Sequence, residues 1–394
     1  MQPPTAIVLA AGEGRRLRPL TKYRPKPMLP VATKPILERV FDQLIGVGIT
    51  DIVVVVGYRR NRVQSYFGST YGEASLTYVT QEKQLGTGHA LAVAESEVDG
   101  TVLVLNGDQI ADETLLHDVI SAHDASATAT LGLLRKSSID EYGGVILEDG
   151  VVSDIVEDPQ DDREYLLNAG VYAFEPDVFD MLYNGAPRIG ERLLIDAIME
   201  LSGAGHEIRG VVSDGFWVDA TYPWDLLEVS FELFDGGLVD GGHAIDASTE
   251  PNIHETAVLR EPVIVDGDCE IGPGAVVGPY ACIGENTIIE SNAVVKRSVL
   301  DSDTRVNANA TVIDCVTGVG VQIGAGSSIP GGPGDVRVGN RVFEDEPLGA
   351  LLADRVCDRG GVHYLSGSIV GPESVIYTGS VVRGTIAEGT EVQY

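Results

Sequence analysis

The sequence predicts an α/β protein in two parts, a mostly parallel sheet wrapped by helices followed by a parallel β-helix, and three observations carry that prediction. Apolar runs typical of buried strands alternate with amphipathic helical patterns as far as residue 226. From Ile253 onward one apolar position returns every sixth residue. Between the two, a short apolar helix at 227–233 leads into Gly236, Gly237, Gly241 and Gly242. The expected boundaries are 1–226 for the sheet domain, 227–250 for a linker helix and glycine-rich hinge, and 251–394 for the β-helix.

The first strand ends at residues 7–9 and runs into a loop in which Gly12 and Gly14 let the backbone turn and turn its N–H groups outward. Arg15, Arg16, Arg18, Lys22, Arg24 and Lys26 follow within twelve residues. In a chain of net charge −32 such a cluster reads as a triphosphate site. It is neither a dinucleotide fingerprint, which needs a third glycine where Leu17 stands, nor a P-loop, which ends in Gly-Lys-Ser/Thr. Pro35 opens an amphipathic helix with Ile36, Leu37, Val40, Phe41, Leu44 and Ile45 on one face, and IVVVVGY at 52–58 is a buried strand. Strand patterns at 75–79, 101–105 and 127–133 alternate with helical ones near 88–95 and 113–123, which predicts right-handed crossovers. Ligands of such sheets bind beyond the carboxyl ends of the strands, where the Gly12 loop falls. A helix at 191–203 and the run FWVDA at 216–220 complete the domain.

In the second part Ile253, Leu259, Val265, Ile271, Val277, Ile283, Ile289 and Val295 fall in one phase, a pattern expected by chance about once in a thousand at 44% apolar composition. The phase slips by one to Leu300, Val306 and Val312, returns at Ile323 and Ile329, and resumes as Ile369, Val375 and Val381. Small residues such as Gly272, Gly278 and Gly284 after the apolar one allow a sharp corner, and three hexapeptides make one coil. This half resembles the left-handed hexapeptide-repeat fold. Residues 330–347, rich in proline and glycine, should be an excursion.

Composition narrows the class. The 59 acidic residues outnumber 27 basic ones, which argues against nucleic acid as a partner and suggests adaptation to high salt. No apolar run approaches the roughly 18 residues of a membrane span, and no signal-peptide pattern is present, so a cytoplasmic home without membrane partners is expected. Cys269, Cys282, Cys315 and Cys357 lack metal or disulfide-framework spacing and read as buried side chains.

The segment Leu9, Ala10, Ala11, Gly12, Gly14, Arg16, Leu17, Pro19, Leu20, Thr21 and Pro25-Lys26-Pro27 resembles the signature of the sugar-1-phosphate nucleotidylyltransferases, with Arg15 in place of the usual Thr or Ser. The resemblance extends through residue 226 and includes glucose-1-phosphate thymidylyl- and uridylyltransferases and the bifunctional N-acetylglucosamine-1-phosphate uridylyltransferases. It implies a Rossmann-like nucleotidyltransferase domain that binds the nucleotide through Leu9, Ala10, Gly12, Gly14 and Arg15. The string QEKQLGTGHA, with Gln81, Gly86 and Thr87, looks like the base loop of enzymes that use UTP or dTTP, and a glutamine amide can pair with a pyrimidine edge. Asp108 at the end of VLVLNGD and Asp219 in FWVDA match the paired aspartates that hold Mg2+, the implied cofactor. Gly143, Glu157 and Asn168 resemble the sugar-binding positions. Asp158 stands where many members have Lys, so the phosphate contact of that lysine must come from another cation or be missing.

The implied reaction joins glucose 1-phosphate or N-acetylglucosamine 1-phosphate to UTP or dTTP and releases pyrophosphate, with Arg16 and Lys26 as catalytic cations and no general base. The β-helix would then serve homo-oligomerisation, as a trimer. Two alternatives stay open: a bifunctional enzyme that also acetylates an amino sugar 1-phosphate, and a non-catalytic assembly protein of the same architecture. Acetyl transfer is not expected, because Ala308 and Thr311 stand where bifunctional relatives have His and Tyr, and Gly361 where they often have Asn.

Overall fold

The computed structural model describes residues 3–124, 126–136, 143–156, 163–184, 192–239 and 250–393. They form two compact units: Met1–Glu13, Pro25–Met28 and Ile36–Asp219 make the first, and Gly14–Arg24, Leu29–Pro35 and Ala220–Tyr394 the second.

The first unit is built on a ten-stranded sheet. Strand Thr5–Ala10 lies parallel between Asp51–Val56 and Val102–Asn106, with Ala74–Thr80 parallel beyond Asp51–Val56. These strands are apolar at successive positions because both faces are covered. Val8, Val54 and Leu103 enter one buried cluster with Phe41 and Leu115, while Ile7, Leu9, Val53, Val55 and Val104 enter another with Phe174 and Ile198. The sheet is mixed beyond this centre. Leu166–Phe174 runs antiparallel between Val102–Asn106 and Ala129–Leu134, and the Gly144–Glu148 and Val151–Val156 hairpin closes that edge. Helix Glu113–Ala122 starts where the Asp112 carboxylate accepts the Leu115 N–H at 2.9 Å.

One small feature brings Asp108 and Asp219 together. Gln109–Ala111 pairs antiparallel with Trp217–Asp219, setting Asp219 opposite Gln109 and therefore next to Asp108. Trp217 Nε1 donates to the Ala169 carbonyl at 2.8 Å, tying this ribbon to the sheet.

In the second unit three parallel sheets of eight, seven and seven short strands form the β-helix. The expected apolar positions from Val265 through Ile329 line its interior, including the slipped Leu300, Val306 and Val312. After the hairpin Gly334–Val338 and Arg341–Glu346 the expected phase is off by one. Val370, Ile376 and Val382 point inward, and Val381 is 60% exposed. Each expected residue has an apolar successor, so hydropathy could not choose between them; the ladder does, pairing Leu352 with Val370 and Tyr364 with Val382. Asp268, Asn286, Asn292, Asp303 and Asn309 take the left-handed conformation at corners, which Asn and Asp tolerate best after glycine.

Six of the seven strands of the third sheet are three residues long, and the middle residues Ile264, Cys282, Val299, Val316 and Leu351 of five of them are buried although they point away from the bore. Helix Asp225–Asp235 packs on Ser298–Leu300 and Cys315–Thr317 and supplies Leu226, Leu227, Val229 and Leu233 to its own buried face. The helix expected as a linker is thus part of the second unit's packing, and the glycine-rich residues 240–249 lie outside the described residues.

Candidate active site

The turn after strand Thr5–Ala10 has two glycines with different reasons. Gly14 sits at φ 64°, a left-handed conformation, and its carbonyl accepts the Thr21 hydroxyl at 2.8 Å. A Cβ on Gly12 would meet nothing within 4 Å, so the chain leaves open space there, as a loop that receives a ligand requires. Buried Leu9 and Ala10 carry the strand into it. The Ala11 carbonyl accepts Gln84 Nε2 at 2.8 Å and the Tyr58 N–H at 3.2 Å, fixing the strand end from two loops.

Lys26 is the centre of the first unit's charge arrangement. Its Nζ lies 2.8 Å from Asp108 Oδ2 and 2.8 Å from Asp219 Oδ1. Burial alone would push this ammonium down, but the two carboxylates outweigh it and hold the group well above its ordinary value. Lys26 is 8% exposed and the Asp219 side chain 6%, whereas the Asp108 side chain is 38% exposed and keeps the cluster in reach of solvent. Two hard-oxygen donors converging on one positive point are a set that Mg2+ also accepts, so the residues fit the implied ion. Among the described residues no group of three or more His, Cys, Asp or Glu side chains forms a metal site.

The loop expected to read the base is stitched to the segment at 192–194. Gly88 N–H donates to the Arg192 carbonyl at 2.9 Å, Arg192 N–H to Leu85 at 2.7 Å, and Leu194 N–H to the Thr87 hydroxyl at 2.9 Å. Gly86, at φ 94°, approaches so closely that a Cβ would lie 2.3 Å from the Arg192 oxygen. Gln81, 4% exposed, donates to the Gly86 carbonyl and to His89 Nδ1, each at 3.0 Å. Of the positions expected to face the sugar, the Gly143 carbonyl accepts the Asn168 N–H at 2.9 Å, and the Asn168 amide donates to the Tyr172 hydroxyl at 2.9 Å. Glu157 and Asp158 lie outside the described residues.

The remaining basic residues belong to the second unit, and they divide. Arg15 and Arg16 are exposed, with the Arg16 guanidinium 5.7 Å from the Tyr222 ring, itself stacked on Trp224 at 4.9 Å. Lys22 pairs with Glu388, which also accepts the Tyr23 hydroxyl at 3.0 Å. Arg24 is turned into the β-helix, against Asp301 and, at 3.6 Å, Asp354. Lys22 and Arg24, expected around the phosphate loop, are thus engaged by carboxylates, because the segment that carries them packs along the β-helix. Sequence reasoning also missed Gln84 and His89. The signal for His89 was a titratable ring inside the otherwise small and apolar helix Thr87–Ala92.

The first unit thus brings a buried cationic side chain between two strand-end carboxylates. The nucleotidyl transferase family model matches residues 5–235, and the model of the GMPPB C-terminal domain matches residues 259–387. The chain belongs to the nucleotidyl transferase family. It is 32% identical over 273 residues to the bifunctional protein GlmU of Methanococcus maripaludis, covering 68% of this chain and 62% of that protein. It is 35% identical over 233 residues to the UTP–glucose-1-phosphate uridylyltransferase AglF of Haloferax volcanii, covering 58% of this chain and 96% of that protein. A Bacillus anthracis structure described as a glucose-1-phosphate thymidylyltransferase in complex with a sucrose superposes with a TM-score of 0.55 at 26% identity, over 59% of this chain and 96% of that one. The chain spans 53 to 62% of the length of the GlmU proteins first matched. No described helix is long and apolar enough to cross a membrane.

Proposed function

We propose that the protein joins a sugar 1-phosphate, glucose 1-phosphate or N-acetylglucosamine 1-phosphate, to UTP or dTTP with release of pyrophosphate. The observation that carries this reading is Lys26 held charged between Asp108 and Asp219. An oxygen of the sugar phosphate forms a bond to the α-phosphorus, and the bond from that phosphorus to the bridging oxygen breaks, its electron pair leaving with pyrophosphate. The nucleophile is already ionised near neutral pH, so no base is required. Lys26 and Arg16 lower the barrier by neutralising charge on the phosphates, the Gly12 turn admits them, and Gln81, Gly86 and Thr87 receive the base. Asp108 and Asp219 would hold Mg2+, which when bound supplies further charge neutralisation to the phosphates. Gly143, Glu157 and Asn168 are proposed to face the sugar. The β-helix is proposed to assemble the protein as a homotrimer of the cytoplasm.

The test is pyrophosphate release with each sugar 1-phosphate against UTP, dTTP, CTP and GTP. Turnover with a pyrimidine nucleotide supports the reading, and none with any pair rejects it. A bifunctional reading is favoured by the likeness to GlmU, but Ala308 brings no proton acceptor, its N–H donating to Glu290 at 3.0 Å. Enzyme-dependent release of CoA thiol from acetyl-CoA with glucosamine 1-phosphate would restore that reading.

A further inference from the structure

Gln81 is more constrained than base recognition by a glutamine requires. Its Nε2 stands 3.0 Å from the Gly86 carbonyl oxygen and 3.0 Å from His89 Nδ1. A carboxamide nitrogen has two hydrogens and only donates, while a backbone carbonyl only accepts. The nitrogen must therefore face Gly86, since a reversed amide would set two carbonyl oxygens against each other. The second hydrogen then points at His89 Nδ1, which must be the unprotonated ring nitrogen. Both hydrogens of the amide are used inside the protein, and Oε1 is the group left to meet a ligand.

The anchors are themselves fixed. Gly86 cannot swing away, because its φ of 94° and its approach to Arg192 hold the turn, and the Gly88 and Arg192 backbone bonds close it. His89 lies within helix Thr87–Ala92, which starts directly after that glycine.

We propose that His89 is a specificity-determining positioning residue: by accepting one hydrogen of the Gln81 amide it presents the glutamine carbonyl to the nucleobase, so that uracil or thymine is taken and cytosine rejected. The inference rests on the pyrimidine-nucleotide reading above. Uracil and thymine offer an N3–H donor to such a carbonyl, whereas cytosine offers a lone pair at N3 and would leave a buried acceptor facing an acceptor. With His89 replaced, the Gly86 carbonyl still keeps the amide nitrogen on its side, but one bond alone no longer fixes the amide plane, so the carbonyl is aimed less well at N3–H and the preference for uracil or thymine over cytosine weakens.

The experiment compares kcat/KM for UTP, dTTP and CTP in the wild type, His89→Leu and His89→Asn, with the fold of each verified by thermal unfolding. Leucine fills space without an acceptor. The Oδ1 of asparagine stands where histidine carries Nδ1 and can accept. Discrimination against CTP should fall about tenfold or more in His89→Leu, through KM for UTP rather than kcat, and should be largely retained in His89→Asn. A wild type that prefers UTP or dTTP, with a folded His89→Leu of equal discrimination, overturns the inference alone. Equal loss in both variants overturns the acceptor argument. A wild type that turns over no pyrimidine nucleotide overturns the reading of the reaction and this inference with it.

Discussion

Lys26 and Arg24 are two residues apart in the chain, and each is a cation between two aspartates, yet they belong to different compact units and different environments. Lys26 sits at the ends of strands, and its partner Asp108 is 38% exposed at the side chain. Arg24 is sealed: its partners Asp301 and Asp354 are 10% and 9% exposed. Burial would lower the Arg24 guanidinium, but the two carboxylates raise it, while burial pushes the Asp354 carboxyl up in spite of Arg24. The same three charges therefore serve two purposes. Where one carboxylate reaches water, the proposed reaction asks the cluster to exchange partners with an incoming phosphate. Where none does, it fixes the chain and its removal is a folding defect.

The largest expected effect breaks the open member of the pair. Lys26→Ala should lower kcat/KM for pyrophosphate release by about a thousandfold, the scale of a lost electrostatic contact in the transition state. Its unfolding midpoint should move much less than its activity, since Asp108 can be hydrated once the ammonium is gone.

Arg24→Met tests the sealed member. Leaving Asp301 and Asp354 buried without a cation should cost about 3–5 kcal/mol in urea unfolding. The pH dependence of that loss has a definite sign. A carboxyl whose folded value is raised destabilises the fold as pH rises through it, and acid relieves the penalty by protonation. The gap between wild type and variant should accordingly narrow below neutral pH. A gap that widens on acidification would contradict the assignment of Asp354 as the strained partner.

A smaller effect sharpens the contrast between sealed and open regions. Burial raises the Cys269 thiol to about 12 and pushes the Cys315 thiol up as well, while Cys357 is only partly buried. A thiol reagent at pH 8 should modify Cys357 in the native protein and the other three only on unfolding. Rapid native labelling of Cys315 would show that the β-helix bore is open.

Much of this was legible in the residues, to an extent that depended on how far apart the contacts lie in the chain. The β-helix period was readable because each coil repeats the same local demand for an inward apolar residue. It failed at Ile369, Val375 and Val381, where a second apolar residue follows each one and only the ladder to Leu352 and Tyr364 decides the phase. Asp108 and Asp219 were recognisable as strand-end carboxylates, but their meeting at Lys26 depends on a pairing of two three-residue strands, too short to register as a pattern. Arg24 was misleading for a physical reason. A cation in a basic run has no local mark that separates a phosphate ligand from a structural counterion, and Asp301 and Asp354 are remote in sequence. His89 was invisible because its proposed role is to orient Gln81 and not to touch a ligand.

The most direct test of the central claim is pyrophosphate release as a function of Mg2+ concentration in the wild type, Asp108→Asn and Asp219→Asn, each shown to unfold with a wild-type transition. The account predicts that activity in the wild type vanishes with chelator and returns with Mg2+, and that both variants fall by two orders of magnitude or more (about 10²–10³) at saturating Mg2+. Near-normal turnover in both folded variants would contradict it.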